Sequence, residues 1–268
     1  MPNHAYGWVP DLPDQRDFMY AAPVENMAAL PPSVDLRKEC PAVYDQGQLG
    51  SCTANAIAGA LEFDKIKESL PAFVPSRLFI YYNERVMEGT VGTDSGAQIR
   101  DGIKSVGTIG APPETDWPYD IKDFAVKPPP KAYKDAPLAK ALQYQRVAQV
   151  LAQMKGCLAS GFPFVYGFTV YESFESPQVA HTGVVPMPAA SEKVLGGHAV
   201  MAVGYEDAAQ RFIVRNSWGT GWGMVGYFTV PYAYLTDSHL SDDFWTIRLV
   251  AKSAADLARE HKAKAASH

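Results

Sequence analysis

The chain predicts an α+β fold, with helices gathered in its first half and antiparallel strands in its second. Three observations carry that prediction. Apolar residues recur with helical spacing at Ala54, Ile57, Ala58 and Leu61, again along Pro75–Arg85, and at Ile99, Ile103 and Val106. Runs of β-favouring residues fill 162–171, 198–205, 211–215, 225–230 and 244–250. Between the two sets lies Lys127–Pro137, with prolines at 128, 129, 130 and 137, which reads as a linker and as the boundary between a helical lobe and a sheet lobe.

Taken in order, residues 1–33 are rich in proline and aromatic residues, and prolines at this density hold a chain extended. Trp8, Phe18 and Tyr20 need an apolar surface to lie on. Two expectations follow: an arm packed on the outer face of the domain, or a short inhibitory segment across a groove. Residues 34–136 form the helical lobe, with one helix from Cys52 to near Pro71, a second from Pro75 to Arg85 and a third from Ala97 to Val106. The β-rich lobe spans 137–250 and opens with a short helix, Val150–Ser160, that carries Cys157. A Gly-Trp-rich turn separates its strands at 211–215 and 225–230. Residues 251–268 are alanine-rich with interspersed charge and read as a frayed helix or disordered tail.

Composition sets limits. At 268 residues, 47% of them apolar, the chain can bury a substantial core. It contains no apolar run long enough to span a bilayer. A formal charge of −5 without a basic stripe argues against nucleic acid as a partner. The expectation is therefore a monomer without nucleic-acid or membrane partners. Three cysteines are too few for a disulfide-stapled scaffold. The first residues lack the charged and apolar regions of a signal peptide, so the expected address is the cytoplasm, or export without a recognisable signal. No cysteine or histidine pair has the short spacing of a zinc site, and Gly219–Gly223 lacks the lysine of a phosphate cradle. No metal and no cofactor are expected.

The stretch Tyr44–Ala56 organises the rest. Gly47 and Gly50 punctuate a loop that ends on Cys52 at the first turn of an apolar helix, where free backbone N–H groups and the helix dipole favour a thiolate. A lone cysteine there is more often inert core. The downstream sequence reverses that weighting: Gly196-Gly197-His198 opens a β-favouring run, and Asn216-Ser217-Trp218 closes the next one. A thiol that titrates near pH 8.5 needs a base to take its proton, and His198 is the candidate. Asn216 alone would read as a turn residue, but Trp218 and Trp222 beside it argue for a packed corner. Cys40 and Cys157 lack such surroundings, as do His4, His181, His239, His261 and His268.

Cysteine, histidine and asparagine in that order resemble the papain-like cysteine peptidases. The resemblance covers roughly residues 31–250, including Pro32–Arg37, which is similar to the start of a mature domain of that family. It implies a two-lobed fold, helical on one side and antiparallel and β-barrel-like on the other, with the active site in the cleft between. It implies Cys52 as nucleophile, His198 as base, Asn216 as the residue that orients the base, Gln46 as an oxyanion donor and Trp218 as the indole that shields the His-Asn bond. It further implies Ser95, Gly96 and Ala97 on one wall of the substrate groove and Gly197 and Ala199 on the other.

Two positions depart from the family's local signature. Leu49 stands where a disulfide cysteine is usual and Thr53 where a bulky aromatic is usual. The closest likeness is thus to disulfide-poor, bacterial-type members. The function implied is hydrolysis of peptide bonds by a thiolate-imidazolium pair through a thioester, by an endopeptidase restrained by its N-terminal extension as a cleft-covering segment. Because no acid is visible at the groove positions, the second subsite is expected to prefer apolar side chains. The rivals are a thiol-dependent acyltransferase or ligase on the same fold, and a silent binding protein with a covered cleft.

Overall fold

The computed structural model describes residues 5–24, 27 and 29–250, with side chains through residue 248. The tail reading for 251–268 lies outside these residues. In chain order the elements are β1 (Met19–Tyr20), β2 (Ser33–Asp35), α1 (Cys52–Lys67), α2 (Arg77–Glu88), α3 (Ile99–Thr108), α4 (Pro130–Asp135), β3 (Ala141–Val147), α5 (Leu151–Ala159), β4 (Phe164–Tyr171), α6 (Pro177–Thr182), β5 (Val194–Glu206), β6 (Arg211–Arg215), β7 (Tyr227–Pro231), α7 (Tyr232–Thr236) and β8 (Ser241–Val250). The mixed composition and the helices-then-strands order match the sequence expectation.

The strands form one sheet in the order β1-β3-β8-β4-β5-β6-β7, with β2 on β5, and its pairings are antiparallel except for β1 on β3. The sheet is open: β1 and β7 lie at opposite edges, so the expected barrel-like closure is not made. The longest strand, β5, carries His198 opposite Phe168 of β4 and Met201 opposite Arg215 of β6.

Helix α1 is the internal axis, with every residue from Cys52 to Lys65 buried. It packs across β5 and β8 on one side and against α2 and α3 on the other. Gly59 makes the close approach to the sheet possible, because a Cβ there would lie 2.8 Å from the Arg215 guanidinium. Helix α2 starts on a side-chain cap, Ser76 Oγ accepting from Phe79 N, and stops at Gly89 in the left-handed region, φ 73°. Helix α3 buries Ile99, Ile103 and Val106, the face its spacing predicted.

Lys127–Pro137 is not an open linker. Pro130 sits in the first turn of α4, where a missing N–H costs nothing, and Ala132 and Ala136 pack on Phe79 of α2. Among the described residues no helix is long and apolar enough to cross a membrane.

Leu61, fully buried in α1, tests the importance of this axis. Leu61→Ala should lower unfolding free energy by about 2–5 kcal/mol in a urea titration, whereas the same change at half-exposed Leu138 should stay within about 0.5 kcal/mol.

Candidate active site

The loop before α1 is fastened from below by buried cations. Arg77 grips Glu114 with two bonds of 2.8 Å, donates to Asp45 O at 3.1 Å and to Asn55 Oδ1 at 3.2 Å, and lies under the Tyr119 ring. Arg215 donates to Ala42 O and packs under Tyr44. These contacts fix Gln46 and Cys52 relative to one another. The Gln46 side chain is buried, its Oε1 accepting from Ser217 Oγ at 2.6 Å while its Nε2 donates to Leu49 O at 3.0 Å. Leu49, in place of the family's cysteine, contributes a backbone carbonyl, and Cys40, Cys52 and Cys157 are all free thiols.

Across the cleft, His198 Nε2 and Asn216 Oδ1 are 2.8 Å apart, and both residues are buried. Asn216 Oδ1 also accepts from Ser217 N at 2.8 Å, which fixes the amide's direction. Trp218 stacks on His198 with ring centroids 4.9 Å apart and 29° between planes, in a cage completed by Phe168, Phe174 and Trp222. The backbone of Ala199, next to His198, lies beside Cys52 and favours its thiolate form. The structure thus gathers Gln46, Cys52, His198, Asn216 and Trp218 into one site.

The groove wall on the helical side is the loop after α2. Fully buried Arg85 gathers the carbonyls of Tyr81, Val91, Thr93 and Phe124. Asp94 takes the Tyr81 hydroxyl and the N–H of Gly50, which ties this wall to the loop before α1. Gly96, at φ 72°, brings Ala97 to the edge. Ser95 is exposed, with its hydroxyl turned onto Gly96 O.

The N-terminal segment runs between the walls, which sets aside the expectation of an arm on the outer face. Gly197 O accepts from Gly7 N at 3.1 Å and Trp8 N at 3.0 Å; Ala97 N donates to Gly7 O at 2.7 Å and Ala97 O accepts from Val9 N at 3.1 Å. This is strand addition, in which backbone groups of both walls serve a passing chain. Ala5 O takes Gln46 Nε2 at 3.2 Å, and the Gly7 backbone beside Cys52 favours its thiolate form. Tyr6 lies edge-on to His198 and Trp218 and donates to Glu175. Trp8 fills a slot whose floor is Gly167, where a Cβ would stand 1.9 Å from the indole, and its Nε1 donates to Asp243 Oδ2 at 2.9 Å. Gly7 itself passes so close that a Cβ would lie 1.8 Å from Gly50 O.

This covered geometry changes the electrostatics. The helix tip was expected to ionise Cys52, yet the thiol is fully buried, and burial pushes it up to about 12 against the N–H groups of Ala199 and Gly7. Behind it, Thr53 Oγ1 donates to Glu84 Oε2 at 2.9 Å, and burial holds the Glu84 carboxyl well above the carboxylate range. A polar pair therefore packs beside Cys52 at the position where the sequence departs from the family's aromatic.

Sequence reasoning missed Ser217, Glu175 and Asp243. Ser217 was in plain view within the Asn-Ser-Trp motif. Asp243 carries no local signal, because only the pairing of β8 with β4 brings it to the groove. Its carboxylate puts an acid beside the Trp8 slot, at a position the sequence reading did not consider.

The family model for papain family cysteine proteases matches residues 30–240. A peptidase C1-like protein of Acanthamoeba polyphaga mimivirus is 44% identical over 270 residues, covering 91% of this chain and 87% of that one. A cathepsin B-like protein of Giardia intestinalis, CP3, is 30% identical over 75% of this chain and 69% of its own. Among solved structures, xylellain, a cysteine protease from Xylella fastidiosa, superposes with a TM-score of 0.86 at 46% identity, covering 92% of this chain and 97% of that one.

A thiol held neutral makes a kinetic prediction. With a pKa near 12, alkylation of Cys52 by iodoacetamide in the full chain should quicken by about tenfold per unit between about pH 7 and pH 10, followed by peptide mass mapping. A rate already flat over that range would mean that the thiolate exists under the arm.

Proposed function

Because the chain belongs to the papain family of cysteine proteases, we propose that Cys52, His198, Asn216 and Gln46 are its catalytic residues and that residues 5–9 block them from within. One observation carries this reading. A segment of the chain's own backbone is hydrogen-bonded along both groove walls, with the Ala5 carbonyl on Gln46 and Gly7 packed against Gly50, two residues before Cys52.

With the arm displaced, a peptide takes its place between Ala97 and Gly197. His198 Nε2 is committed to Asn216, which leaves Nδ1 to take the Cys52 proton. The thiolate attacks the scissile carbonyl carbon, a C–S bond forms, and the carbonyl π pair moves onto oxygen. Cys52 N–H and Gln46 Nε2 donate to that oxyanion; loss of one such donor typically costs about 100- to 1000-fold in turnover. As the C–N bond breaks, Nδ1–H protonates the leaving amine. Water, losing a proton to His198, then hydrolyses the thioester. The aromatic cage of Trp218, Phe174 and Trp222 keeps water off the His198–Asn216 bond.

The groove accepts a continuous run of chain from Ala5 to Val9, which supports internal cleavage and hence an endopeptidase. Arm and groove belong to one chain, so the block needs no second copy and is consistent with a monomer. Relatives described as proteases lend no support to the ligase or to the silent binder.

Two variants test the assignment. Cys52→Ser should remove at least 1000-fold of the turnover of a fluorogenic peptide while the melting temperature stays put; retained turnover would place the nucleophile elsewhere. Gly7→Ala drives a methyl into Gly50 O and should lift the arm, raising both peptide turnover and Cys52 labelling by a thiol-directed inhibitor at least tenfold. Unchanged labelling, with the same circular dichroism, would mean that the arm is no barrier.

A further inference from the structure

A second set of buried charges lies where the arm leaves the groove. Asp11, 5% exposed, accepts at Oδ1 from Arg100 at 2.9 Å and from Arg146 at 3.0 Å. Arg100 also donates to Leu12 O at 3.0 Å and to Asp17. Arg146 reaches on to Asp242 and Asp243, both at 3.1 Å. The two arginines differ in what would remain to them. Among the described residues, the hydrogen-bond acceptors of Arg100 are Asp11, Leu12 and Asp17, all on the arm, whereas Arg146 keeps two carboxylates of β8.

Lifting the arm therefore uncovers a guanidinium, 5% exposed at present, that has lost those acceptors. Arginine stays charged at any pH the protein will meet, and its planar fork fits a carboxylate. A desolvated charge left without a partner is costly, so the uncovered group has a strong demand for an anion. Access already exists: a cavity of about 710 Å³ opens beside Arg100 and Gln98 under Leu12–Arg16. The distance from the slot is set as well. Asp11 stands three residues from Trp8, about 10 Å in extended chain.

We propose that Arg100 and Arg146 form a carboxylate-reading subsite of the groove, filled here by Asp11, which on displacement of the arm takes an acidic side chain of the peptide substrate three residues from the one seated in the Trp8 slot. The arm is then a ligand of the subsite it closes, and acidic peptides are its natural competitors. This assignment rests on the peptidase reading, but its test does not require turnover.

The test is a binding measurement on the full chain carrying Cys52→Ala, Gly7→Ala, Asp11→Asn and Asp17→Asn, so that the groove is open, the subsite vacant and cleavage impossible. Fluorescently labelled Trp-Ala-Ala-Glu and Glu-Ala-Ala-Trp, covering both chain directions, are each compared with the glutamine counterpart by anisotropy. The expected result is at least tenfold tighter binding of the glutamate peptide in one direction. That preference should fall within twofold on adding Arg100→Gln and persist in part with Arg100→Lys, which keeps the charge and separates loss of recognition from misfolding. Restoring Asp11 and Asp17 should weaken binding of the acidic peptide. Glutamate and glutamine peptides within twofold of each other in both directions, or a preference that survives Arg100→Gln, would overturn the assignment.

Discussion

Exclusion of water from the Cys52 sulfur is the constraint from which the rest of the structure follows. A helix tip stabilises an adjacent anion by about 0.3–1 kcal/mol, at most ~2. One pKa unit corresponds to about 1.4 kcal/mol, so the dipole of α1 can offset little more than one unit of upward shift. Full burial under the arm raises the thiol to about 12, and desolvation wins. The same burial that makes α1 a good core helix keeps the Cys52 thiol protonated under the arm. Under the proposed mechanism, catalytic competence is therefore a property of the open groove.

The groove itself is held by buried charges that reach backbone groups of its loops. Arg85 ties the Val91 and Thr93 carbonyls of one wall to those of Tyr81 and Phe124, Arg77 and Arg215 hold the loop before α1, and Asp94 joins the two. Loops cannot satisfy their own carbonyls as helices do, and a buried guanidinium with five donors replaces the missing partners. The walls are thereby fixed with Ala97 and Gly197 presenting free edges. Any extended chain finds the same donors and acceptors there, which is why the first residues of this protein dock as a strand.

How much was legible follows from the same physics. Helix α1, the strands from β4 to β8 and the cluster of Gln46, Cys52, His198, Asn216 and Trp218 announce themselves through local spacing and motif order. Strand β3 does not, because its alternation of Leu142-Gln143-Tyr144-Gln145 is cut short at Arg146 and its pairing with β8 spans about a hundred residues. Lys127–Pro137 misleads because proline both breaks helices and starts them, and only Phe79 of α2 decides between the two. Prolines placed the first residues in extended form correctly. Nothing local could say that Trp8 would find a glycine floor in β4 and a carboxylate in β8, since backbone pairing leaves no mark on sequence.

Proton and arm are coupled, and the sign of the coupling gives the cover its pH range. The Cys52 pKa is raised in the covered state, so the covered state binds the thiol proton more tightly than a state in which the sulfur meets water. The stabilisation this adds to the cover is fully present below the ordinary thiol pKa of about 8.5 and drains away as pH rises through that value towards 12. At neutral pH, cover and proton therefore reinforce each other. A substrate offering only backbone hydrogen bonds matches what Gly7 and Val9 already make and gains nothing over an arm tethered beside the groove at high effective concentration. It must also match Trp8 on Asp243 and Tyr6 on Glu175, and bring side chains for the vacated charges. Under the proposed mechanism, selectivity is set by competition with the chain's own first residues, so the arm's sequence is as much a determinant of which peptides are cut as the walls are.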